Sequence, residues 1–150
     1  MSRLHVHLHV RDIDQSVRFY TTLFGHEPTR LESDYAKWML DDPKVNFAIS
    51  THGEAGLSHL GIQVESDSEL GRVSARAKDA AGAILIEQGA NCCYAKGDKA
   101  WAEDPQGVRW ETFFTKGNLT AYGVGADETR RESAGGEPMA ASGCCGGTCG

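Results

Sequence analysis

Nothing in this 150-residue chain is apolar for long. No run approaches the ~20 residues needed to cross a bilayer, so no membrane partner is expected. The opening stretch, MSRLHVHLHV, alternates where a signal peptide would present an unbroken apolar core. A basic stripe is missing too. Lys and Arg number 15 against 21 Asp and Glu, a formal net charge of −6, which argues against nucleic acid as a partner. Dispersed cysteines are also absent. The five cysteines fall in two tight clusters, Cys92–Cys93 and Cys144, Cys145, Cys149, unlike the spread spacing of a disulfide framework. A reducing, cytoplasmic setting is expected, where such clusters more often bind a metal or do chemistry.

What is present divides near residue 116. From Gly117 onward the chain is rich in Gly, Ala, Ser and Glu and has no sustained apolar period. Residues 117–150 are expected to form a disordered tail carrying Cys144, Cys145 and Cys149, candidates to relay or store metal. Residues 1–116 suffice for one packed domain.

That domain holds a weak internal repeat. LHVHLHV (4–10) alternates Leu4, Val6, Leu8 and Val10 with His5, His7 and His9, the pattern of a strand with one apolar and one polar face. SHLGIQV (58–64) repeats it, with Leu60, Ile62 and Val64 on one face and His59 and Gln63 on the other. An offset of 54 carries His5 onto His59, Leu8 onto Ile62 and Val10 onto Val64. It also carries Asp12 with Gln15 onto Ser66 with Glu69, two spacings that fit helix capping boxes. Helices are expected over about 13–24, stopped at Gly25, and 67–81.

Short strand-like runs follow each helix: PTRLE, YAKWML and VNFAIS in the first half, AILIE, CYAK into KAWAE, and VRWETFF in the second. DDP (41–43) and EDPQG (103–107) read as hairpin turns with proline at the second position. Each half is therefore βαβββ, with modules at about 1–53 and 54–116, and the fold class is α+β.

Two βαβββ halves with a histidine early in each first strand resemble the vicinal oxygen chelate superfamily, which includes glyoxalase I and fosfomycin-resistance proteins. HVHLHVRDIDQSVRFYTTLFG, SHLGIQV and EDPQGVRWETFF carry the resemblance. It implies a cup-shaped, mostly antiparallel sheet around a divalent metal. It allows the modules to pair within one chain or to swap across a homodimer.

The resemblance also implies the metal ligands: His5, His59 and Glu111. Two imidazoles and one carboxylate make a facial triad with open positions, suited to Fe(II) and able to take Mn, Co or Ni. Strand alternation supports the histidines independently, since both lie opposite the apolar stripes. A lone histidine on a half-polar strand is more often an ordinary surface or core residue; two at repeat-equivalent places reverse that weighting. His7 and His9 share the face of His5 and are expected in solvated or hydrogen-bonded roles. His26 and His52 read as loop residues.

KVNFAIS, the last strand of the first half, has no carboxylate where glyoxalase I relatives usually place a fourth ligand that is also the base. Fosfomycin-type thiol transferases share the three ligands without needing a vicinal cysteine pair. Extradiol dioxygenases share them too, but are usually built from more modules. NCCYAKGDKAW is most similar to the organoarsenical carbon–arsenic lyase and cadmium-induced protein group, as is the Cys-rich end GCCGGTCG. This branch implies that Cys92 and Cys93 bind the substrate, a trivalent organoarsenical such as methylarsenite or an aromatic arsenical. Fe(II) and molecular oxygen would then cleave the carbon–arsenic bond and release arsenite. Thiolates favour soft centres, and two sulfurs match the two exchangeable positions of an arsenic bearing one organic group. Two other readings stay open: a cadmium- or arsenite-sequestering protein without catalysis, and a glyoxalase- or fosfomycin-type metal-dependent thiol transferase.

Adjacent side chains on a regular strand point to opposite faces. The Cys92–Cys93 segment is therefore expected to leave strand geometry. Gly89 and Gly97 would act as hinges that close the segment over the metal cup when arsenic bridges the thiols.

Overall fold

The computed structural model describes residues 2–92, 94–118, 120 and 123. The βαβββ order occurs twice. The first module comprises β1 (Arg3–His9), α1 (Ile13–Phe24), β2 (Arg30–Leu31), β3 (Tyr35–Asp41) and β4 (Lys44–Ser50). The second comprises β5 (Gly56–Val64), α2 (Asp67–Ala81), β6 (Leu85–Cys92), β7 (Ala95–Glu103) and β8 (Arg109–Asn118).

The helix starts are where the capping boxes put them. Asp12 accepts the Gln15 N–H at 2.8 Å, and the Ser66 hydroxyl accepts the Glu69 N–H at 3.2 Å. Gly25 and Gly82 end the helices at φ 68 and 76, left-handed values that favour glycine.

All eight strands form one sheet in the order β2-β3-β4-β1-β5-β8-β7-β6. The modules join within the chain through the antiparallel β1–β5 pair, with His5 opposite Gly61 and His7 opposite His59. β1–β4 and β5–β8 are the parallel pairs, and the other pairings are antiparallel. The sheet is open, with β2 and β6 as its end strands. No described helix is long and apolar enough to cross a membrane.

The main core lies between α1 and the first module's strands. Ile13, Ala36, Trp38, Leu40, Phe47 and Ile49 are buried there, with Val17, Tyr20 and Phe24 of α1 packed on them. Tyr20 and Phe24 set their rings 4.6 and 5.1 Å from Phe47. Trp38 satisfies its indole N–H on the His26 carbonyl at 3.0 Å. Under α2 the packing is thinner, and that helix buries no residue fully.

Four local expectations change. PTRLE forms strand only at Arg30–Leu31: Pro28 has no N–H to give a ladder, and the Glu32 N–H turns back to the Tyr35 carbonyl at 2.8 Å. In the β3–β4 hairpin Asp41 pairs with Lys44, so Pro43 takes the third turn position, after a cis Asp42–Pro43 bond. The EDPQG turn keeps Pro105 second, and the Gly107 N–H donates to the Asp104 carbonyl at 2.9 Å. β8 runs from Arg109 through Asn118, past the end of the expected VRWETFF strand at Phe114.

The fourth change concerns the thiol segment. β6 runs on through Cys92, which pairs with Ala95, past the end expected from AILIE. Tyr94 then stands in a turn at φ 62, and the expected departure of the Cys92–Cys93 pair from strand geometry falls on Cys93, outside the described residues. Gly89 and Gly97 sit at register shifts, between Glu87 and Ala90 and between Lys96 and Gly97. They act as bulges that bend the ladder while letting it continue. Gly89 has φ 61, and its N–H donates to Asp98 Oδ1 at 2.7 Å. Cys93, Cys144, Cys145 and Cys149 lie outside the described residues.

Candidate metal centre

The β1–β5 seam and the adjoining β8 place three donors together. His5 Nε2 is 3.2 Å from His59 Nε2. Glu111 Oε2 lies 3.8 Å from the first nitrogen and 3.5 Å from the second. His5, His59 and Glu111 are all buried. The three candidates proposed from sequence thus meet in one place.

Their surroundings orient them. His5 Nδ1 donates to the Asn46 carbonyl at 2.9 Å. A carbonyl only accepts, so the Nε2 of a neutral His5 carries a free lone pair. His59 Nδ1 meets the Ser58 hydroxyl at 3.0 Å, and the Trp101 ring stands edge-on to His59 at 5.1 Å. Glu111 divides its two oxygens. Oε1 takes the Lys99 ammonium at 2.6 Å, leaving Oε2 to the imidazoles. Gly61 makes room for Glu111, since a Cβ there would stand 2.5 Å from the Glu111 carbonyl oxygen.

The protonation states suit metal ligation. Burial, reinforced by the nearby His59, lowers the His5 pKa to about 4. Burial pushes the Glu111 carboxyl upward, but Lys99 and the two histidines outweigh it and hold the group well below the usual range. A neutral imidazole and a carboxylate are the forms that bind a divalent ion. The residues therefore fit a metal of the two-histidine, one-carboxylate kind.

His7 is more deeply placed than its sequence role suggested. It is 1% exposed, and its Nε2 bonds the Ser50 hydroxyl at 2.9 Å. Its Nδ1 has no hydrogen-bond partner among the described residues. His5, His7 and His59 can bring ligand nitrogens within 4.8 Å of one another, so a three-histidine set competes with the set containing Glu111. The hydrogen-bonded role expected for His7 is what the geometry shows. His52 lies in a loop, bonded to Asp34 Oδ2 at 2.8 Å.

The pseudo-twofold register explains the missing fourth ligand. Residue 7 matches residue 61 in the repeat. His7 pairs with Ala48 as Gly61 pairs with Glu111. Ala48, fully buried, therefore occupies the first module's counterpart of Glu111. A small pocket of about 50 Å³ opens beside the donors, walled by Tyr35, Lys37, Phe113 and, from the thiol-bearing hairpin, Ala95, Lys96 and Gly97.

Sequence reasoning missed Lys99, Asn46 and Ser50. Alternation along β7 carried a usable signal for Lys99, which shares a face with Trp101. Asn46 acts through its backbone carbonyl, which no side-chain pattern reveals.

The family model described as Glyoxalase/Bleomycin resistance protein/Dioxygenase superfamily matches residues 3–112. The chain belongs to this superfamily. Within it, the chain is 41% identical over 122 residues to the trivalent organoarsenical cleaving enzyme of Bacillus sp. (strain MD1), covering 77% of this chain and 74% of that one. It is 32% identical over 149 residues to the cadmium-induced protein CadI of Mycobacterium bovis, covering 98% and 95%. These relatives match the branch inferred from NCCYAKGDKAW. Among solved structures, an extradiol ring-cleaving dioxygenase from B. fuscum superposes with TM-score 0.59 at 18% identity, over 87% of this chain and 36% of the dioxygenase. That likeness concerns the superfamily fold alone.

Proposed function

We propose that this protein cleaves the carbon–arsenic bond of trivalent organoarsenicals, such as methylarsenite or trivalent aromatic arsenicals, and releases arsenite in an Fe(II)- and O2-dependent reaction. The observation that carries the proposal is the convergence of His5 Nε2, His59 Nε2 and Glu111 Oε2 in a pocket partly walled by the hairpin that bears the vicinal cysteines. The organoarsenical cleaving enzyme of Bacillus sp., at 41% identity, supports the substrate class.

His5, His59 and Glu111 would hold the iron, which supplies the oxygen chemistry when bound. Lys99 keeps Glu111 in a one-oxygen posture by occupying Oε1. Tyr35 and Phe113 line the pocket beside these donors. Cys92 and Cys93 take the arsenical by exchange. Two As–S bonds form, two As–OH bonds break, and the thiol protons leave with the hydroxyls as two waters. Holding the arsenical beside the metal makes the later step effectively intramolecular, an advantage of up to ~7–11 kcal/mol in well-oriented systems. The tail beyond Asn118 is accessory to this chemistry.

The CadI relative motivates a second reading, soft-metal sequestration without turnover. One assay separates the two. Load the protein anaerobically with Fe(II), add methylarsenite, admit oxygen and follow arsenite. Catalytic release, retained in a chain cut after Asn118, is expected. Stoichiometric binding without release would replace the lyase by the sequestrant.

A further inference from the structure

Tyr94 follows the cysteine pair in the short connection between β6 and β7, at φ 62. A bulky residue rarely adopts this left-handed backbone, and hairpin connections usually place Gly or Asn in it. The surroundings explain why it is held. The Tyr94 hydroxyl donates to Asp34 Oδ1 at 2.6 Å. The Arg30 guanidinium lies 4.6 Å over the ring, and its Nη1 donates to the Tyr94 carbonyl at 3.3 Å. The ring packs 5.6 Å from Tyr35 and is buried with Tyr35 and Ala48.

These contacts cross the whole sheet order. Arg30 belongs to β2, one end strand, while Tyr94 adjoins β6, the other. Backbone pairing leaves the sheet open, and side chains join its two ends at this one edge of the cup. The join adjoins the pocket wall, since Tyr35 and Ala95, the chain neighbours of Asp34 and Tyr94, both line the pocket. Tyr94 shares a buried cluster with Tyr35 and Ala48, the counterpart of Glu111.

We propose that Tyr94, Asp34 and Arg30 form a clasp that fixes the thiol-bearing hairpin against the first module, with Tyr94 as the positioning residue for two-thiol capture of the arsenical. The choice of ligand rests on the lyase reading above. Two-point attachment gains from holding the second contact at the right distance, and the clasp restricts where the hairpin tip can sit. Metal binding is separate, because none of the three clasp residues belongs to the donor set.

The test uses the full chain loaded anaerobically with Fe(II), as wild type, Tyr94→Phe, Asp34→Asn and the double variant, with a trivalent phenylarsenical as probe. Each single change should weaken phenylarsenical binding about tenfold, and the double change no further. Iron content and alkylation by iodoacetamide, which needs one thiol only, should stay the same. In turnover KM should rise while kcat stays within about threefold. A Tyr94→Phe protein that binds the arsenical like wild type overturns the clasp, and so does a variant whose only change is lost iron. Wild type that takes up iron but no phenylarsenical overturns the lyase reading instead. The clasp is then judged on hydrogen exchange of the Ala95, Lys96 and Gly97 amides. Faster exchange in Tyr94→Phe supports it, and unchanged exchange overturns it.

Discussion

The two modules share one fold and divide the work unequally. Under α1 the first module stacks Tyr20, Phe24, Trp38 and Phe47 into an aromatic core. Under α2 the second presents Val73, Ala77, Ala80 and Trp110 around an open cleft of about 460 Å³. On the concave side the contrast reverses. The buried polar groups of the first module are uncharged, His5, His7, Asn46 and Ser50, while the second offers His59 together with buried charge: Glu87, Lys99, Arg109 and Glu111. The Arg109 guanidinium lies 4.3 Å over Trp101, and Lys99 reaches both Trp101 and Glu111. A duplicated fold thus lets one half supply most of the packing while the other spends its interior on charge and on the thiol hairpin.

The comparison can be broken by mutation, and the largest effect belongs to the first module. Trp38→Ala empties a fully buried site and should cost about 3–5 kcal/mol in denaturant unfolding. Unfolding within ~1 kcal/mol of wild type would show that α1 is not the packing centre.

Next comes the charge in the second module. Lys99→Met keeps the bulk but frees Glu111 Oε1. Iron affinity, followed by titration, should fall about 10–100-fold, the usual cost of losing a partner that orients a ligand. Unchanged affinity would show that Lys99 is a bystander.

A smaller, pH-dependent effect is expected where the modules are tied by Tyr94. Its hydrogen bond to Asp34, with burial and the charges of Asp34 and Glu32, pushes its pKa up to about 12 despite the opposing Arg30. His52 also bonds Asp34. A folded-state pKa above the unfolded value stabilises the fold below pH 10, and that stability is lost as pH rises through about 12. Tyr94→Phe should therefore cost about 1–2 kcal/mol at pH 8, with the difference shrinking between pH 10 and 12. A constant difference across that range would remove the Tyr94–Asp34 bond as its cause. The smallest effect is reserved for α2: Val73→Ala should change unfolding by about 1 kcal/mol or less, and a cost like that of Trp38→Ala would erase the contrast between the helices.

Much of this was legible in the residues. Capping boxes at Asp12 and Ser66 and glycines at 25 and 82 located both helices, because those signals are local. Alternation put His5, His7 and His59 on one face of their strands. Alternation assigns faces but does not say which face is inside a curved sheet. The histidine face proves the better buried, and Leu4 on the apolar face is 45% exposed. Glu111 stood out only through resemblance to a family, since its place depends on the parallel β5–β8 register. The continuation of β6 to Cys92 was not legible, because AILIE reads as a strand ending at Glu87 and the ladder resumes at Ala90 only after a register shift. Tyr94 carried no local signal at all. Its partners Asp34 and Arg30 lie about sixty residues away in sequence.

The central claim is that a seam between two modules holds one metal through His5, His59 and Glu111, with His7 beside the set and not in it. The direct measurement is iron stoichiometry and affinity under anaerobic conditions for His5→Ala, His59→Ala, Glu111→Gln and His7→Ala, each checked for folding by circular dichroism. One iron per wild-type chain is expected. It should be lost in the first three variants by more than the ~100-fold that removal of an outer partner can cost, and retained in His7→Ala. Iron retained in folded Glu111→Gln, together with its loss in folded His7→Ala, would contradict the account and assign the site to three histidines.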